Sequence, residues 1–229
     1  MKRLMNIKIQ ISDNIIKHYL SNVYFINGHS YAGKSTMVKM LAERYDMVLC
    51  GENFHEAFPR DKLSRWKQPG LSYFDTMSGW EEWLNMTPEE HWNWTYHVSQ
   101  ECIKIEIMEL VKLSAKGKKI IVDTNIPPDV LHEISDYNHV VIMLCNPPDI
   151  CATCFFECDD PDKKFIMDQI KLCRDPDATL KNFNSWALYH PPIETDWYHT
   201  GFFTYTRSDF ENDTKEEMLA TLVKHFNFE

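Results

Sequence analysis

The residues that promise chemistry are Gly28, Gly33, Lys34 and Ser35, inside GHSYAGKST (28–36). The pattern G-x-x-x-x-G-K-[ST] arises by chance at about 3 × 10⁻⁵ per start position, so coincidence explains it poorly in a chain this short. Glycines let backbone N–H groups close around an anion with no Cβ in the way. A helix beginning at the lysine adds unsatisfied donors and a partial positive charge. Gly28, His29, Ser30, Tyr31, Ala32, Gly33, Lys34, Ser35 and Thr36 are therefore the expected cradle for a polyphosphate. Lys34 would reach its terminal phosphates, and the Ser35 hydroxyl would complete a Mg²⁺ shell.

Further residues can join this cradle. Asp123 ends the apolar run KKIIVDTN (118–125), which puts a carboxylate at the carboxyl edge of a sheet. It is expected to hold Mg²⁺ with Ser35 if its strand neighbours the glycine turn; otherwise it is a strand-end Asp bonded to backbone. Glu52 follows the apolar DMVLCG (46–51) and can orient an attacking hydroxyl. Asp123 is the rival for that role. Asn53, Arg60 and Arg65 lie in the same stretch. Arg60, Lys62, Arg65 and Lys67 form a basic run that reads either as an anion site or as a solvated helix face.

The elements that must position these residues are legible from periodicity. NVYFIN (22–27) reads as a buried strand and feeds the glycine turn, and a helix follows with Met37, Met40 and Leu41 at helical spacing. Further strands are expected at 46–51, 118–125, 139–146 and 201–207. A long helix begins at a capping box, with Thr87 as cap, Pro88 first and Glu90 three residues on, and is expected to run to Lys116. The last helix, TKEEMLATLVKHF, shows the same box in Thr214 and Glu217. Alternating strands and helices imply βαβ units, a mainly parallel sheet and helices on both faces.

Bulk properties narrow the class. The chain has 229 residues, 44% of them hydrophobic and 25% charged, and a formal net charge of −10. That suits one globular domain and disfavours an extended nucleic-acid or anionic-lipid surface. No apolar run reaches the roughly 18–20 residues of a membrane span. The start lacks the long apolar core of a signal peptide, so a cytoplasmic location is expected, with the seven cysteines reduced. Cys151, Cys154 and Cys158 repeat at helical spacing and read as small core residues rather than zinc ligands.

The glycine-lysine-serine turn, an Asp-ended third strand, a fourth strand ending CNPP and a helical interval after it resemble the nucleoside and nucleotide kinase branch of P-loop proteins. Adenylate kinases, shikimate kinase and the chloramphenicol phosphotransferases share that layout. The resemblance implies a three-layer α/β fold with strand order 2-3-1-4-5. It implies a single domain over 1–229, with an acceptor-side insertion at about 52–116 and a lid at about 155–200. It further implies ATP- and Mg²⁺-dependent phosphoryl transfer to a small-molecule acceptor, by a monomer or homodimer.

Lids of this type carry arginines. Arg174 stands alone between Arg65 and Arg207, so it is the expected transition-state cation, with a surface salt bridge as the alternative. Arg207 would lie near the donor's base or serve structure. The aromatics from Trp66 to Tyr96 either build a helical core or line the acceptor pocket. The shortage of lid arginines keeps open a nucleotide-binding module without acceptor chemistry. Sulfuryl transfer is a weaker alternative, because it needs no Mg²⁺ clamp.

Overall fold

The computed structural model describes residues 11–148, 150, 155–156, 161–189 and 195–228. Five strands form one sheet: β1 (Val23–Gly28), β2 (Val48–Cys50), β3 (Ile120–Asp123), β4 (Val140–Cys145) and β5 (Phe203–Arg207). Their order is β2-β3-β1-β4-β5, and every pairing is parallel. The expected mainly parallel sheet is thus parallel throughout. β3 and β4 are fully buried along their length, as parallel strands covered on both faces must be.

Eight described helices surround the sheet: α1 (Asp13–Tyr19), α2 (Lys34–Arg44), α3 (Trp80–Leu84), α4 (Pro88–Ser114), α5 (Pro128–Ile134), α6 (Pro161–Leu172), α7 (Pro176–Trp186) and α8 (Lys215–Phe226). One face of the sheet packs on α2 and α8 through Tyr24, Ile26, Met37, Leu41, Leu222 and Phe226. The other packs on α4 and α5 through Phe25, Leu110, Ile120, Val122, Leu131 and Ile142. This is a three-layer α/β architecture, consistent with a P-loop NTPase. No described helix is long and apolar enough to cross a membrane.

Local sequence rules account for most element ends. α4 begins at the reciprocal Thr87–Glu90 box with Pro88 in its first turn, which satisfies donors that the helix leaves orphaned. It stops at Ser114, before Gly117 with φ 75°. The box expected at the last helix is not made. Thr214 caps α8 without a side-chain bond, and its buried Oγ1 has no partner among the described residues. The short helix α1 has no counterpart among the expected elements and packs against α5.

A third cluster joins two regions that the sequence treats separately. Trp83 and Leu84 of the insertion pack on Ile170 of α6, Cys173 just beyond its end and Phe183 of α7, with Phe74, Trp80, Trp94 and Trp186 around them. Most of the aromatic run is therefore core, shared between the insertion and the helices after β4. Trp66, 92% exposed, and Tyr96, 40% exposed with Trp92 stacked on it, lie outside that core. Cys151, Cys154 and Cys158 lie outside the described residues.

Candidate active site

The glycine turn sits where the sheet order reverses, at the carboxyl end of the central strand. β1 lies between β3 and β4, which is where open parallel sheets leave a crevice for ligands. Gly28 has φ 122°, and a Cβ there would stand 2.0 Å from the Met143 carbonyl oxygen. Only glycine lets β1 pass that close to β4 while turning. Gly33 (φ 96°) and Tyr31 (φ 69°) also adopt left-handed backbone. These turns bend the segment around a concavity and launch α2 at Lys34. The first-turn N–H groups of Lys34, Ser35 and Thr36 have no helical carbonyl to bond, so they are available to an anion.

The turn is braced from both sides. Buried Asn27 donates through Nδ2 to the Ile126 carbonyl (2.6 Å) and accepts from the Gly28 N–H (2.6 Å), tying β1 to the loop after β3. The Cys145 N–H donates to His29 Nδ1 at 3.3 Å, so that nitrogen is the acceptor of the ring. Burial, with the Lys34 charge beside it, holds the His29 pKa below its ordinary value; the ring braces the loop as a neutral group. Arg207, at the end of β5, donates to the Tyr31 carbonyl at 3.3 Å and lies 4.6 Å from the Phe210 ring centroid.

Lys34 is buried, and its Nζ donates to the His29 carbonyl at 3.2 Å, folded inside its own loop. Asp123 pairs in register with Ile26 of β1, so the strand-neighbour condition is met. The Ser35 hydroxyl donates to Asp123 Oδ2 at 2.6 Å. The other oxygen, Oδ1, is buried without a hydrogen-bond partner among the described residues. Burial pushes the Asp123 carboxyl up, against the opposing pulls of Lys34 and Ser35. A buried carboxylate with an orphaned oxygen, beside a hydroxyl and a lysine at a helix start, is a donor set that fits a hard cation such as Mg²⁺.

Around this centre lies a cleft of about 490 Å³ lined by Ser30, Tyr31 and residues 33–36 of the turn, with Glu52, Phe155, Lys163 and Arg207. Glu52 accepts from Asn125 Nδ2 at 2.9 Å, which orients a carboxylate that is otherwise exposed. The structure thus brings together the glycine turn, Lys34, Ser35, Thr36, Asp123, Glu52 and Arg207.

It does not bring Arg174 there. That residue lies between α6 and α7, exposed, with its backbone N–H donating to Glu81 Oε1 at 2.9 Å. The cation that α6 brings to the cleft is Lys163, 4.8 Å from the Tyr31 ring centroid and 4.5 Å from that of Phe155. The sequence gives no local signal for Lys163 over Lys164; packing of α6 against the turn decides it.

Asn53 and Arg60 line a separate cleft of about 480 Å³ inside the insertion. Arg60 is paired there with Asp75 at 2.7 Å, and Arg65 is exposed outside both clefts. A third cleft, about 360 Å³, shares Ser30 and Phe155 with the cleft at the glycine turn and continues between Trp83, His91, Phe183, Asn184 and Trp186. His91 stacks on Trp186 with centroids 3.7 Å apart. This aromatic cleft, rather than the stretch holding Asn53, Arg60 and Arg65, adjoins the glycine turn. No protein-family model matches the chain, and comparison with curated proteins finds no match.

Proposed function

We propose that this protein is an ATP- and Mg²⁺-dependent small-molecule phosphotransferase of the nucleoside and nucleotide kinase type. The observation that carries the reading is the Ser35–Asp123 contact at 2.6 Å with Asp123 Oδ1 left unpartnered, next to a lysine held inside a glycine turn. A strand-to-helix turn that served structure alone would have no use for a buried, unsatisfied carboxylate.

In this reading the backbone donors of residues 28–36 hold the triphosphate. Lys34 leaves the His29 carbonyl and spreads the charge that develops on the transferring group. Ser35 and Asp123 hold Mg²⁺, which would neutralise phosphate oxygens. Lys163 closes the cleft from the lid side, in the role expected of Arg174. Glu52, oriented by Asn125, accepts or orients the proton of the attacking hydroxyl. Asp123 is less suited to that task, because it would be engaged by the metal. The acceptor's ring lies in the aromatic cleft, whose flat apolar walls suit a nucleoside or another planar hydroxylated molecule.

The absence of a lid arginine from the cleft favours one alternative, a nucleotide-binding module without acceptor chemistry. Transfer of labelled γ-phosphate from ATP, screened over nucleosides, nucleotides, sugars and other alcohols, separates the two. Label on any acceptor above background supports the kinase, and tight ATP binding without transfer supports the module. Lys34→Ala is expected to abolish turnover while the circular-dichroism spectrum is unchanged. Full turnover in that variant removes the mechanism.

A further inference from the structure

A second constellation lies away from the glycine turn. His55 sits in the short 3₁₀ helix Phe54–Ala57, just after β2. Cys102 and Glu106 lie four residues apart on α4 and so share one face of that helix. The three donor atoms all lie within 4.8 Å of one another. Cys102 and Glu106 are buried and His55 nearly so.

Glu106 makes the cluster unusual. It is a carboxylate at 4% exposure, and no lysine or arginine pairs with it among the described residues. Its one hydrogen-bonded partner there is His55 Nδ1, 3.1 Å from Oε1. A buried carboxylate calls for a cation. An imidazole nitrogen, a thiol sulfur and a carboxylate oxygen converging from two segments form a ligand set that suits zinc-class ions rather than Mg²⁺ or Ca²⁺. Donors around a tetrahedral zinc at about 2.0–2.3 Å stand roughly 3.3–3.8 Å apart. Shifts of about 1 Å would close this cluster to that geometry.

We infer that His55, Cys102 and Glu106 form a binding site for a zinc-class divalent cation, separate from the Mg²⁺ position at Ser35 and Asp123. His55 also lines the 480 Å³ cleft of the insertion, so the fourth coordination position falls to water or to a molecule in that cleft. The ion pins the turn after β2 to the long helix. That turn begins two residues beyond Glu52, so the site also steadies the segment that carries Glu52.

The test is a titration of the chelator-stripped full chain with Co²⁺, under reducing conditions and with millimolar Mg²⁺ present. The expected result is one equivalent bound, with a thiolate-to-cobalt absorption in the near ultraviolet and a higher melting temperature. Cys102→Ser should remove that absorption and weaken binding at least tenfold; His55→Gln should weaken binding while the absorption returns at high Co²⁺. Cys102→Ala serves if the serine variant misfolds. A variant with Cys151→Ser, Cys154→Ser and Cys158→Ser should titrate like the parent. Absence of the absorption, its persistence in Cys102→Ser, or its loss in the triple variant overturns the proposal.

Discussion

Replacing Asp123 by Asn separates the chemical role of this carboxylate from its structural one. The side chain is 1% exposed, and burial is the largest influence on its pKa, raising it above the ordinary 3.8. Its favourable contribution to stability is complete below 3.8 and is lost as pH rises through the raised folded value. At neutral pH without a cation, its charge therefore opposes folding, by about 1.4 kcal/mol for each unit of upward shift. Asparagine keeps the shape and can still accept the Ser35 bond through its oxygen, while the ionisation cost disappears. Some of the gain is offset by an amide NH₂ in the place of the orphaned Oδ1. A net stabilisation remains, and each 1 kcal/mol of it raises the melting temperature by roughly 2–4 °C for a chain of this size.

Turnover should move the opposite way. Removing a pre-organised charge at a phosphoryl-transfer site costs about 10²–10³-fold in kcat. Mg²⁺·ATP should also stop raising the melting temperature of the variant. The measurements are thermal melts with and without Mg²⁺·ATP and a γ-phosphate transfer assay, on both proteins. An Asp123→Asn protein that melts lower without ligand and turns over at the parent rate would refute the reasoning, since the carboxylate would then be serving the fold.

Three other outcomes are expected. Lys163→Ala should lower kcat at least tenfold and Arg174→Ala less than twofold in the transfer assay, because only Lys163 lines the cleft; the reverse order would return the arginine to the lid role. Stability should fall as pH drops from 6.5 to about 4, where burial has pushed His91 to about 4: the unfolded chain binds the proton first. In melts, His91 should contribute about 1–2 kcal/mol of the loss across that range after allowing for partial solvent access, and His91→Phe, which keeps the stack on Trp186, should make the slope shallower, with half-buried His29, His139 and His225 supplying the remainder. Gly28→Ala should leave little folded protein on gel filtration, since its Cβ would lie 2.0 Å from the Met143 carbonyl; normal yield and melting would mean that β1 and β4 can separate there.

The sequence by itself determined what depends on local order. The strand-turn-helix around Gly28 and Lys34, the capping box at Thr87 and the five apolar strands are written in consecutive residues, where backbone sterics and burial leave few alternatives. Asp123 was legible as a strand-end carboxylate, yet its meeting with Ser35 required β3 to neighbour β1. Tertiary structure alone decided which cation of the helices after β4 lines the cleft at the glycine turn, that Asn125 orients Glu52, and that the aromatics of the insertion pack on α6 and α7. It also decided that His55 meets Cys102 and Glu106. Those contacts join residues tens of positions apart, and no period or spacing along a chain encodes which distant faces will be buried together.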